Sequence, residues 1–158
     1  MKTIIAYASK YGTTTQVAQK LASGIENSLL LDLSCDKKVK LEDIDFLVIG
    51  TPIYAGSIHK AVKRFLNNNV TALAEKNFAF FICGLDTAYS DDLLNRNFTK
   101  EIVQAAITIT HVGGLFDPNK ATFLEKMIMK LISKSAQLYS TLDEEKIADL
   151  IKLINAYK

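Results

Sequence analysis

Short continuous apolar runs alternate along the chain with apolar positions at helical spacing. Thr3-Ile4-Ile5-Ala6-Tyr7-Ala8 is short, apolar and rich in β-formers, which predicts a strand covered on both faces. A polar loop follows. From Thr13 the pattern changes to Val17, Leu21 and Ile25, with Ala18 and Ala22 beside them, the spacing of an amphipathic helix. Leu29-Leu30-Leu31-Asp32-Leu33 offers a second strand and Asp45 to Gly50 a third. The loop Thr51 to Ser57 leads to a helix predicted near His59 to Asn67. Phe78 to Cys83 reads as a fourth strand, followed by the polar loop Gly84 to Asp91, a helix through about Ala106 and a fifth strand from Ile107 to Leu115. Near the end, Thr141-Leu142-Asp143-Glu144 reads as a capping box opening a helix with Ile147, Leu150, Ile151 and Ile154 on one face.

Strands that alternate with helices at this spacing predict an α/β fold, a doubly wound five-stranded parallel sheet with helices on both faces, because parallel strands need crossover connections. Residues 1–158 read as a single domain with an extra helical segment at about 117–140. Ligands in such sheets bind beyond the carboxyl ends of the strands, where the strand order reverses. The first, third and fourth strand-to-helix loops meet there.

The 158 residues, 49% hydrophobic and 23% charged, are enough to bury a continuous core without disulfides or structural metal. The apolar runs Phe46 to Gly50 and Phe78 to Gly84 fall far short of the roughly 20 residues that cross a bilayer. Ile4 to Ala8 is too short for a signal-peptide core, so the expected location is the cytoplasm. Cys35 and Cys83 lack CxxC spacing and signal neither a zinc site nor a redox dithiol; the expectation is two unpaired structural thiols. A net charge of +2 is too weak to imply nucleic-acid binding.

The loop after the first strand carries the clearest chemistry. A loop joining a buried strand to a helix N-terminus aims several backbone N–H groups and the positive end of the helix dipole at one spot, which suits an anion. Ser9, Thr13, Thr14 and Thr15 add hydroxyl donors, and Gly12 admits close backbone approach. The alternative is an ordinary Ser/Thr-rich helix cap. With one glycine the loop matches neither GxGxxG nor a Walker P-loop. Ala8-Ser9 and Gly50-Thr51 stand where a phosphorylated receiver domain would carry carboxylates.

Ser9-Lys10-Tyr11-Gly12-Thr13-Thr14 resembles the flavodoxin phosphate loop, Ser/Thr-x-Thr-Gly-x-Thr, with Ser9, Gly12 and Thr14 matching and Tyr11 departing from it. Thr51-Pro52-Ile53-Tyr54-Ala55-Gly56 resembles the second flavin loop of that family, and Cys83-Gly84-Leu85-Asp86-Thr87-Ala88-Tyr89 stands in the place of the third. The resemblance spans essentially the whole chain. It implies a flavodoxin-like fold with FMN bound by Ser9, Lys10, Tyr11, Gly12, Thr13 and Thr14, by Thr51, Pro52, Ile53, Tyr54, Ala55 and Gly56, and by Cys83, Gly84, Leu85, Asp86 and Tyr89. Tyr54 and Tyr89 are the candidates to stack on the isoalloxazine, the alternative being two ordinary loop tyrosines; no Trp is present to do so. His59 and His111 are expected to be structural, and no side chain is given a general acid or base role.

Flavodoxins that act only as shuttles are typically strongly acidic, which this chain is not. The segment from Asp117 to Ser140, with Met127-Ile128-Met129-Lys130-Leu131-Ile132 inside it, resembles an insertion of menaquinone-dependent protoporphyrinogen dehydrogenases, FMN enzymes of the same superfamily. That resemblance implies an FMN-dependent oxidoreductase in heme biosynthesis, with a porphyrinogen as reductant and a quinone as acceptor. The alternatives are a non-catalytic electron-transfer flavodoxin and an FMN-binding regulatory module. Phe123, Leu124, Met127, Ile128, Leu131 and Ile132 repeat at helical spacing beside Lys126, Lys130 and Lys134. Such a helix fits a peripheral membrane contact through 120–135 at the inner face of the membrane, a quinone-bearing partner or a second subunit. The alternative is that the stripe packs on the domain's own core.

Overall fold

The computed structural model describes residues 1–35, 41–85, 90–123, 125–127, 130 and 138–157. Asp86 and Tyr89 of the third loop, and residues 124, 128–129 and 131–137 of the extra helical segment, lie outside the described residues.

Five parallel strands make the central sheet in the order β2 (Ser28–Asp32), β1 (Thr3–Tyr7), β3 (Phe46–Tyr54), β5 (Asn77–Cys83), β6 (Ile109–His111), with the short β4 (Ser57–Ile58) antiparallel on the end of β3. The alternation of side chains along each strand divides the core in two. Ile5, Tyr7, Phe46, Val48, Ala79 and Phe81 face α1 (Thr13–Gly24) and the C-terminal helix α6 (Glu144–Ala156). Ala6, Ala8, Leu47, Ile49, Phe78, Phe80 and Ile82 face the opposite layer, which holds α2 (Lys60–Asn68), α3 (Val70–Leu73) and α5 (Lys100–Ala105). The central strands are apolar in nearly every position because both faces are covered. At the edge, β2 leaves Leu29 and Leu30 exposed.

Four sequence expectations differ from the structure, each for a local reason. β3 does not end at Gly50. It runs on to Tyr54, turns through Ala55 (φ 50°) and Gly56 (φ 74°), and returns as β4 with Tyr54 opposite Ser57, a hairpin whose two turn residues both take left-handed backbone. The helix expected through Ala106 is two helices, α4 (Asp91–Asn97) and α5, because Phe98 turns inward to within 4.9 Å of the Phe80 ring centroid and Thr99 recaps the chain by accepting from Ile102 N–H.

The fifth strand is interrupted at Gly113-Gly114. A Cβ on Gly114 would lie 2.7 Å from the Gly84 carbonyl carbon. Beyond the two glycines, β7 (Leu115–Phe116) leaves the sheet and pairs antiparallel with β8 (Tyr139–Ser140). Residues 117–138 are thus an excursion closed at its base by this two-stranded ladder. Lastly, Thr141 does not open the capping box. Its hydroxyl accepts from Gly114 N–H at 3.0 Å, and Asp143 caps α6 by accepting from Lys146 N–H at 3.1 Å. Ile147, Leu150 and Ile154 are buried as one face of that helix. Cys83 is buried but Cys35 is exposed, so only one of the two free thiols behaves as a core residue.

Candidate functional site

The carboxyl ends of β1, β3 and β5 carry three segments that meet over one cavity of about 350 Å³, a volume within the usual range for small-ligand sites. Ser9, Lys10, Tyr11, Thr13 and Thr14 line it from the first loop, Pro52, Ile53, Tyr54 and Ala55 from the second, and Cys83, Gly84 and Leu85 from the third. Gly12 contributes backbone to the first loop but no wall. Thr51 is fully buried and its hydroxyl is occupied within the fold, accepting from His59 N–H at 3.1 Å, while Gly56 stands in the exposed hairpin turn. His59 caps α2, its Nδ1 accepting from Ala61 N–H at 3.2 Å.

The start of α1 lacks a side-chain cap. Gly12 stands at the capping position with φ 95°, a left-handed conformation that favours glycine. The Ser9 hydroxyl is turned back to accept from Gly12 N–H at 3.0 Å, and the Thr13 hydroxyl donates across the site to Leu115 C=O at 3.3 Å. Thr14 is 1% exposed, and its Oγ1 is one of two buried side-chain oxygens without a hydrogen-bond partner among the described residues. Burial pushes the neighbouring Cys83 thiol up to about 12, with Thr14 acting in the opposite direction. That thiol stays protonated and is a poor acceptor. A buried hydroxyl beside an uncapped helix start costs free energy unless an acceptor arrives. The Nζ of Lys120 lies 3.3 Å from the position a Cβ on Gly12 would take, bringing a cation to the same end of the helix. The arrangement fits a phosphate and does not resemble an ordinary capped helix.

The end of the interrupted fifth strand and the excursion beyond it add a fourth wall that sequence reasoning missed: Gly114, Leu115 and Phe116 from the former and Asp117, Ala121 and Glu125 from the latter also line the cavity. Glu125 is 9% exposed. Its Oε1 accepts from the hydroxyls of Tyr11 and Tyr54 and from Lys10 Nζ at 3.2 Å, and its Oε2 from Thr122 N–H at 2.9 Å. Burial acts to raise its pKa, but the bonds from Tyr11, Tyr54 and Thr122 outweigh it and hold the carboxyl well below the usual carboxylate range. The bond to Glu125, with burial behind it, raises the Tyr54 phenol. The Lys10 ammonium also stands 3.4 Å from the Tyr54 ring centroid, a cation–π contact. A lone carboxylate inside the apolar run Phe123 to Met127 was the one sequence signal for this cluster.

A doubly wound parallel sheet with a hydroxyl-rich, uncapped loop at its first helix defines a flavodoxin-like α/β protein. The family model described as "Flavodoxin domain" matches residues 4–143, and the chain belongs to that family of FMN-binding electron-transfer proteins. Among solved structures, a flavodoxin from the domain Archaea is similar over 98% of this chain and 94% of its own, with 14% identity and a TM-score of 0.62. Flavodoxin 1 from Bacillus cereus is similar over 97% of this chain and 94% of its own, with 14% identity and a TM-score of 0.56. A flavo di-iron protein from Thermotoga maritima is similar over 97% of this chain and 35% of its own, with 18% identity and a TM-score of 0.57. At these identities the likeness is one of fold. No curated protein sequence matches the chain.

Proposed function

We propose that the chain is an FMN-dependent oxidoreductase that passes electrons from a reduced donor to a quinone, in the manner of the protoporphyrinogen dehydrogenases. The observation that carries the FMN part is the buried, unpartnered Thr14 hydroxyl in a cavity at the uncapped start of α1. Ser9, Thr13, Thr14 and the backbone around Gly12 would hold the phosphate, with Lys120 supplying charge. Pro52 to Ala55, Cys83 to Leu85, Asp86 and Tyr89 would hold the ring system, and Tyr54 would stack on it. Bound there, FMN supplies hydride or stepwise electron transfer. The residues of the chain bind and orient it and keep water from one side.

Two observations favour an enzyme over a pure shuttle. The net charge of +2 lacks the acidic field that steers shuttles to basic partners. Leu115 and Phe116 of β7, with Ala121 and Glu125 of the excursion, line the site, giving a wall against which a second substrate can be held.

The same segment supports a peripheral membrane contact, for Phe123 is 80% and Met127 48% exposed, and Lys130 is exposed as well. No helix among the described residues is long and apolar enough to cross a membrane. Apolar residues beside lysines fit an anionic lipid interface.

The test is anaerobic reoxidation of the reduced, FMN-loaded protein by a menaquinone analogue, with and without protoporphyrinogen as reductant and with anionic vesicles present. Catalytic turnover that vesicles accelerate is expected. Reoxidation only by protein redox partners would leave the electron-transfer flavodoxin as the correct reading.

A further inference from the structure

We propose that Glu125 is a positioning residue of the flavin site: its carboxylate fixes the Tyr54 ring for stacking and fastens the 117–127 excursion as a wall of the cavity. The inference deepens the FMN reading and rests on it. Glu125 belongs to the excursion, Tyr11 to the loop after β1 and Tyr54 to the end of β3. One carboxylate oxygen nevertheless takes bonds from Tyr11, Tyr54 and Lys10, while the other is held by Thr122 N–H. A carboxylate buried to this degree is tolerated only when its acceptor sites are filled by donors. Here they are filled by groups from three separate segments, so the bonds join those segments at the cavity.

Tyr54 is the member with most to gain. It is 44% exposed, and a half-exposed tyrosine at a hairpin end otherwise samples several rotamers. Three contacts remove that freedom. Its hydroxyl is tied to Glu125, one ring face is covered by the Lys10 ammonium at 3.4 Å from the centroid, and the ring meets that of Tyr11 at 6.2 Å and 69°, edge to face. At 44% exposure and lining the cavity, the held ring still presents surface on which a flat ligand would stack. A ring already held in place spares the ligand the entropic cost of ordering it. Acting through Tyr54, Glu125 therefore bears on the ring end of the ligand, and it shares no bond with the Thr14 hydroxyl at the phosphate end.

Dissociation constants for FMN and for riboflavin, measured for the wild type, Glu125→Gln, Tyr54→Phe and the double variant, separate these roles. Glu125→Gln should weaken both flavins by the same factor, about tenfold. Tyr54→Phe should do likewise, and the double variant should be weaker than the wild type by far less than the product of the two factors, close to the more affected single variant. Thermal unfolding of the flavin-free variants shows whether they fold. Should Glu125→Gln fail to fold, Tyr54→Phe, which deletes one bond at a half-exposed ring, must still show the parallel loss. Unchanged binding, loss confined to FMN, or fully multiplicative effects would overturn the proposal. A wild type that binds neither flavin overturns the FMN reading and this proposal together, whereas equal binding by the wild type and Glu125→Gln overturns this proposal alone.

Discussion

Thr14 and Glu125 are both buried polar residues at one cavity, and they differ in what satisfies them. Glu125 has donors from Tyr11, Tyr54, Lys10 and Thr122, whereas the Thr14 hydroxyl has no hydrogen-bond partner of normal geometry among the described residues. What separates Thr14 from the other unpartnered buried hydroxyl, Thr3, is that Thr14 lines the cavity at an uncapped helix start, where a ligand acceptor can complete the structure. Replacing Thr14 by Ala should therefore weaken FMN by roughly 1–3 kcal/mol, the loss of a hydrogen bond to a charged group, and leave riboflavin nearly unchanged. Parallel fluorescence-quenching titrations of the two flavins check this. Thr14 was legible in the sequence because the signal is local: Ser9, Gly12 and Thr14 lie within one loop and their spacing carries the reading. Glu125 was not legible. Its partners lie at positions 10, 11 and 54, and only the break in the fifth strand brings it to them.

The elements show the same division. Short continuous apolar runs and four-residue helical spacing placed β1, α1, β5 and α6 close to their observed bounds, because each is decided by its own buried surface. Boundaries failed where a tertiary contact decides. Gly113-Gly114 packs on Gly84, Phe98 turns into the core, and the Thr141 hydroxyl is taken by Gly114. The cap of α2 carries a prediction of its own. Burial pushes the His59 imidazole below its ordinary value, with Lys60 acting in the same direction, and its Nδ1 must be unprotonated to accept from Ala61 N–H. A depressed folded pKa contributes stability above the unfolded value of about 6.5 that is lost as pH falls through the folded one. The melting temperature should accordingly drop as pH is lowered from about 7 to 5. His59→Asn, which keeps a capping acceptor without titrating, should flatten that part of the profile. An unchanged profile would remove the His59 cap as its cause.

At the scale of the whole molecule, the sheet brings three loops together and the excursion closes over them, while the net charge stays at +2. The charged groups at the ring end include Glu125, which is paired with Lys10. Of the two described carboxylates lining the cavity, Asp117 and Glu125, the one at the ring end is neutralised in this way, which lowers the repulsion against adding electrons to a flavin held there. The second of its two one-electron potentials should lie above those of strongly acidic flavodoxins. Spectroelectrochemical titration measures it, and a value as low as theirs would remove this support for a quinone-linked enzyme. The central claim is that the loop from Ser9 to Thr14 is built for the terminal phosphate of FMN. Isothermal titration of the purified chain with FMN, FAD and riboflavin under identical conditions tests it most directly. FMN should bind far more tightly than the other two, with quenched flavin fluorescence and a shifted visible spectrum. Riboflavin binding as tight as FMN would contradict it.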